Sequence, residues 1–143
     1  MDYYHFARAL LEEKAGDVVV YLLADPSHLP KPVFWTFLDN SAWCHAYDAK
    51  GRRCYLADIP KRLSKLEDDP FRSLVGSLIR VGKVAKTEKP FFEFLWADFL
   101  RNRLDHALVE GHYDKAAKLA SKIAVSKAAQ DLPGWCGSND GGT

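Results

Sequence analysis

Cysteine is scarce in this chain: Cys44, Cys54 and Cys136 are the only three among 143 residues, with no C-x-x-C pair and no histidine at zinc-finger spacing. That pattern argues against a disulfide scaffold or a structural zinc site, and a reduced, cytoplasmic protein is the expectation. No apolar run approaches the ~20 residues that span a bilayer. Asp2, His5 and Arg8 interrupt the N-terminus where a signal peptide would carry its apolar stretch. Surplus charge of either sign is missing too. Twenty basic residues against nineteen acidic leave a formal +1, so a nucleic-acid partner has to be met by a local patch. G-x-S-x-G, Walker A, H-E-x-x-H and G-x-G-x-x-G are all absent. The cysteines have neither a helix-start setting nor a close base, so a thiol enzyme is not expected.

What is present is a globular composition, 48% hydrophobic, which excludes wholesale disorder and suffices for a core. The patterning predicts one α+β domain over residues 1–133 and a flexible Gly-rich tail over 134–143. A first helix over 3–14 has Asp2 as its N-cap and Gly16 as its stop. Residues 17–24, rich in Val and Leu, read as a buried strand. A short aromatic helix follows Pro32. Residues 42–47 and 53–56 then form a small hairpin around Gly51, with Trp43 and Tyr55 in its core. Helices are expected over 60–66, 70–81, 90–104 and 112–127. The resulting sheet is thin, since about three strands are needed for a sheet to stand alone. Either helices cover it tightly or another piece, such as a second copy in a homodimer, completes it.

Three helix starts carry candidate chemistry. Asp2, His5 and Arg8 gather at the first, where free N–H groups and the dipole favour phosphate and a histidine can act as acid or base. Taken alone they read more readily as an N-cap with two half-exposed side chains. Asp69 and Pro70 open the second, placing Arg72 and Ser73 in a first turn that suits phosphate, unless Arg72 merely pairs with Asp68 or Glu67. The third follows Lys86. It is apolar almost all round and so buried, with Glu93 and Asp98 costly inside it unless paired or functional. Five positions apart, those two carboxylates point to different faces. Arg72, Arg80 and Lys86 are the expected structural partners of both, a reading that suits Asp98 better, and Glu93 is the better site candidate. Basic residues also cluster over 48–65 and at Lys115, Lys118 and Lys122, more as solvated faces than as a phosphate track.

Taken in order, these segments resemble the ParB-like nucleases, a branch of the ParB/sulfiredoxin-like group. The run from Asp2 to Leu10, Asp-Tyr-Tyr-His-Phe-Ala-Arg-Ala-Leu, is similar to that family's D-H-H-H-L-A-R-A-L signature. The likeness continues through 24–29, Phe34-Trp35, 47–53 and 68–74. It is most specific at Ala85-Lys86-Thr87 and over 90–101, and it extends to Leu132-Pro133-Gly134-Trp135. Two departures stand out. Tyr3 and Tyr4 replace two histidines, leaving His5 alone. The family's N-terminal strands would precede the first motif, at which this chain opens as a truncated member would.

The resemblance implies a sulfiredoxin-like fold with a nucleotide or nucleic-acid phosphate at the first helix start. Sulfiredoxin chemistry is not expected, because that group's cysteine falls at about Tyr4. His5 and Glu93 become the candidate acid and base, and Asp2, Arg8, Arg72, Ser73 and Lys86 the candidate phosphate ligands. If the protein cuts, the reaction is phosphodiester hydrolysis with Mg or Mn as the metal. The alternative is a non-catalytic nucleotide-sensing or protein-interaction module.

Overall fold

Proline and aspartate set several of the helix starts. A computed structural model describes residues 4–137, with the side chains of Tyr4 and His5 outside that description, as are Asp2 and the predicted tail over 138–143. Its helices are α1 (Tyr4–Glu12), α2 (Lys31–Asn40), α3 (Pro70–Arg80), α4 (Phe92–Arg101), α5 (His106–Gly111) and α6 (Tyr113–Ala124), with single 3-10 turns at Leu56–Asp58, Leu63–Lys65 and Lys127–Ala129. Pro30 and Pro32 open α2, and Pro70 opens α3 behind the Asp69 cap, whose Oδ1 accepts the Phe71 N–H at 3.0 Å. Asp105 caps α5 in the same way, accepting from Ala107 N–H at 2.9 Å. That six-residue helix escapes sequence reasoning because so short a segment has no apolar period to detect.

The chain is helical, and among the described residues there is no β-strand and no sheet. This overturns the expected α+β architecture. Residues 17–24 take no regular structure and pair with no other segment among the described residues, and Val19 is fully exposed. The run has the composition of a buried strand, but a strand exists only where a neighbour accepts its ladder, and here none does. The hairpin shrinks to one antiparallel bridge, Tyr47 with Arg53. Its turn is as expected: Gly51 takes φ +73°, and Asp48 Oδ1 accepts both the Lys50 and the Arg52 N–H groups at 2.9 Å. One bridge encloses no core, so Tyr55 is 84% exposed and Trp43 packs edge-on against Phe37 instead. The helix predicted over 60–66 is only the Leu63–Lys65 turn. Arg8 Nη1 donates to the Leu63, Ser64 and Leu66 carbonyls at 3.4, 3.3 and 2.6 Å, taking up acceptors that a longer helix would use itself.

The chain divides into two compact units, Met1–Asp68 and Asp69–Thr143. The second has a continuous core. Phe71, Leu74, Val75 and Leu78 of α3 meet Phe92, Trp96, Ala97 and Leu100 of α4, with Val109 of α5 and Ala116, Ala120 and Ala124 of α6. The alanines recur every four residues, one stripe of small side chains that lets α6 lie close. The sequence after α6 returns to this core. Trp96 Nε1 donates to the Pro133 carbonyl at 2.7 Å, and Trp135 bridges Val84. Gly134, at φ +81°, lies so near that a Cβ there would come within 2.2 Å of the Ala85 oxygen. Only glycine fits. In the first unit, α2 buries no residue, and Ala46 is the sole buried apolar residue among those described.

Candidate functional site

The richest polar grouping in the second unit lies where α3 begins and α4 runs past it. Asp69 is buried, and besides capping α3 it accepts from Arg101 Nη2 at 2.6 Å through Oδ2. Arg101 also pairs with Asp98 and stacks over the Phe71 ring, 5.2 Å from its centroid. Its Nε is buried without a hydrogen-bond partner among the described residues. Burial chiefly raises the Asp98 pKa, Arg101 works against that, and the Asp69 charge adds to the rise. Asp98 therefore has Arg101 as its partner, where the sequence suggested Arg72, Arg80 or Lys86. Nothing in the sequence singled out Arg101. Its i, i+3 spacing from Asp98 was the available signal.

One turn along, Arg72 of α3 pairs with Glu93 of α4 and lies over the Phe94 ring, 5.5 Å from its centroid. Both ionic side chains are about one-fifth exposed, at 19% and 22%, so a solute can reach the pair without full desolvation. Glu93 sits in the first turn of α4, which opens behind Phe91 in the left-handed region at φ +59°. Of the predicted site residues, the structure thus joins Arg72 and Glu93 directly. Arg72 was among the cations expected to partner a carboxylate of α4, and Glu93 is that carboxylate.

Ser73 is exposed on the first turn of α3, and its carbonyl accepts from the Tyr113 hydroxyl at 3.2 Å. Lys86 is exposed on the α3–α4 loop. That loop is anchored beside it by Ala85 N–H donating to the Gly134 carbonyl at 2.7 Å. Gly134 and Trp96, which hold this loop, are positioning residues that the sequence reading did not assign.

The remaining predicted residues belong to the first unit. Arg8 is engaged by Glu12 at 2.6 Å and by the three carbonyls of 63–66, so its guanidinium holds a turn in place. His5 lies in α1, and Asp2 lies outside the described residues. A second histidine attracts notice here: His45 stacks on Tyr47 at 4.3 Å, and burial pushes its pKa down to about 4, so it is neutral at pH 7. All three cysteines are free, and burial is the main cause of a raised Cys44 pKa. Among the described residues no three His, Cys, Asp or Glu side chains gather as a metal site, and no helix is long and apolar enough to cross a membrane.

Chemically, the α3–α4 grouping offers a guanidinium fork, a carboxylate, a hydroxyl on a helix start and a lysine on a tethered loop. Comparison with known proteins gives this grouping a family context. The family model described as "Putative ParB-like nuclease" matches residues 1–102. Solved structures match as well. The crystal structure of protein Atu1540 from Agrobacterium tumefaciens is 45% identical, with a TM-score of 0.92 over 96% of this chain and 71% of that one. No curated protein matches.

Proposed function

The chain belongs to the family of ParB-like nucleases, and from that premise we propose that it binds the phosphate of a nucleotide or nucleic acid and hydrolyses a phosphodiester bond. Arg72, Ser73 and Lys86 are the phosphate ligands of the second unit, and Asp2 and Arg8 are candidates of the same kind in the first. Glu93 and His5 exchange the protons. The observation that carries this reading is the Arg72–Glu93 pair at two partly exposed helix starts. A phosphate oxygen matches the guanidinium fork as well as a carboxylate does, so substrate displaces Glu93 from Arg72. The released carboxylate then accepts a proton from the attacking water, and the role proposed for His5 is to donate one to the leaving oxygen. The described side chains do not by themselves fit a bound metal, so Mg or Mn would rest on substrate oxygens, and no step here runs through it. A cytoplasmic setting agrees with three free cysteines.

The test is cleavage of supercoiled and single-stranded DNA with Mg or Mn, wild type beside His5→Ala and Lys86→Ala. Lys86 is exposed, so its replacement leaves the core untouched. The expected result is cleavage by the wild type and a loss of at least ~100-fold in each variant. No cleavage, or cleavage equal in all three proteins, overturns the reading. A non-catalytic nucleotide-sensing or protein-interaction module is the second reading. It is favoured by the apolar surface that the first unit leaves open.

A further inference from the structure

We propose that Arg101 is a positioning residue, which holds the first turn of α3 in place while the Arg72–Glu93 pair stands open. Its weight in catalysis rests on the phosphate reading of that pair, whereas the brace itself is a property of the fold. Arg101 grips the turn at two points. Its Nη2 donates to Oδ2 of Asp69 at 2.6 Å, and its guanidinium lies over the Phe71 ring, 5.2 Å from the centroid. Asp69 in turn governs the backbone of this turn. Its Oδ1 accepts the Phe71 N–H at 3.0 Å, and its carbonyl accepts the Ser73 N–H at 3.2 Å. The residue between those two bonds is Arg72. Asp69 is buried and Arg101 mostly so, which keeps water from competing for their hydrogen bond.

The two helices are braced twice, with opposite polarity. The α3 side supplies Asp69 to one ion pair and Arg72 to the other, and α4 answers with Arg101 and Glu93. Each guanidinium also lies on a ring of the opposite helix, Arg101 on Phe71 and Arg72 on Phe94. Glu93 and Arg101 stand near the two ends of α4, about 12 Å apart along its axis, so the turn is tied toward both ends of that helix. A phosphate that takes Arg72 from Glu93 opens one brace. The apolar core still holds the helices together, but its attraction is non-directional and does not fix which way a terminal turn faces. The Asp69–Arg101 pair is directional, and it fixes the turn against α4. With it in place, Arg72, Ser73 and the released Glu93 keep their spacing. The bond from Arg101 to Asp98 has no such effect, because both residues belong to α4.

The experiment is amide hydrogen exchange at Phe71 and Ser73 in the full chain, wild type beside Glu93→Gln, Arg101→Lys and the two combined, with Asp98→Asn as the control. Glu93→Gln opens the first brace without any substrate. Arg101→Lys keeps a cation for buried Asp69 and loses the fork and the stacking, so the core survives, as near-UV dichroism of Trp96 verifies. Each single change lowers protection by less than ~10-fold, because the other brace remains. The double variant loses ~10-fold more than the product of the two single losses, and Asp98→Asn leaves protection unchanged. Residues this far apart with no shared partner act independently when their role is only structural, so losses that simply multiply overturn the proposal. Unchanged protection in both Arg101→Lys and the double variant overturns it too. In DNA cleavage, Arg101→Lys lowers kcat by ~10-fold or more and holds KM within ~3-fold, and a change confined to KM overturns the positioning role. A wild type that cleaves nothing overturns the phosphodiesterase reading alone, and the exchange data still decide the brace.

Discussion

Residues 69–137 and residues 4–68 draw on the same kinds of side chain and end differently. In the second unit, α3, α4 and α6 turn their apolar stripes toward one another and bury Phe71, Leu74, Trp96 and Leu100 almost completely. In the first, α1, α2 and the valine-rich segment hold as much apolar material, yet Phe6, Val19, Tyr21 and Val33 face outward. The difference lies in the partners. A helix face can be covered by any other helix with a matching ridge, and the second unit supplies three. A strand has a stricter need, since its backbone must meet another strand at the right spacing before its side chains can pack. Where that neighbour is missing, composition alone gives no core.

The most severe way to break the contrast is to remove the centre of the folded unit. Trp96→Ala empties the core and leaves the Pro133 carbonyl without its donor, at an expected cost of about 4 kcal/mol. Chemical denaturation followed by near-UV dichroism would show the second unit as weakly held as the first. An unchanged midpoint would mean that the buried core is not what sets the two units apart.

Asp69→Ala narrows the contrast without erasing it. It removes the α3 cap and one of the two partners of the mostly buried Arg101, while Asp98 remains. The expected loss is about 2 kcal/mol, read as a lower melting temperature. Asp69→Asn keeps the cap and should recover roughly half of it.

The smallest effect sharpens the comparison, because it acts on the first unit alone. Burial holds His45 down to about 4 from its ordinary 6.5, so in the folded unit it stays neutral while an unfolded chain already takes up its proton. The stability of the first unit is therefore full above about 6.5 and declines as pH falls toward about 4. Hydrogen exchange around residues 42–55 at pH 7 and pH 5 measures this. His45→Phe should make the two profiles alike, and a wild type with equal protection at both pH values would refute the linkage.

How far all this was legible in advance differs from element to element. Asp69 with Pro70, Pro32 and the Asp48–Gly51 turn were readable because each acts through its own backbone neighbours. The apolar period of α3 and α4 was readable for the same local reason, and so was the need of Glu93 and Asp98 for partners. Arg72 was among the cations the sequence offered as partners, whereas Arg101 was not. Arg72 meets Glu93 across 21 positions and Arg101 meets Asp69 across 32, and either pairing depends on how two helices cross. The helix expected over 60–66 failed through a distant residue as well, since Arg8 captures its carbonyls.

The amino-acid order by itself determined the caps, the tight turns, the helical stripes, the scarcity of cysteine and the family likeness. Each of those depends on residues within a few positions of one another or on composition. The tertiary structure alone decided that the valine-rich segment stays unpaired, that Arg72 holds Glu93, and that Gly134 closes on Ala85 so tightly that no other residue fits. Ladders, ion pairs and close backbone contacts need two groups brought together from far apart in the chain, and local propensity carries no information about where the second group will be.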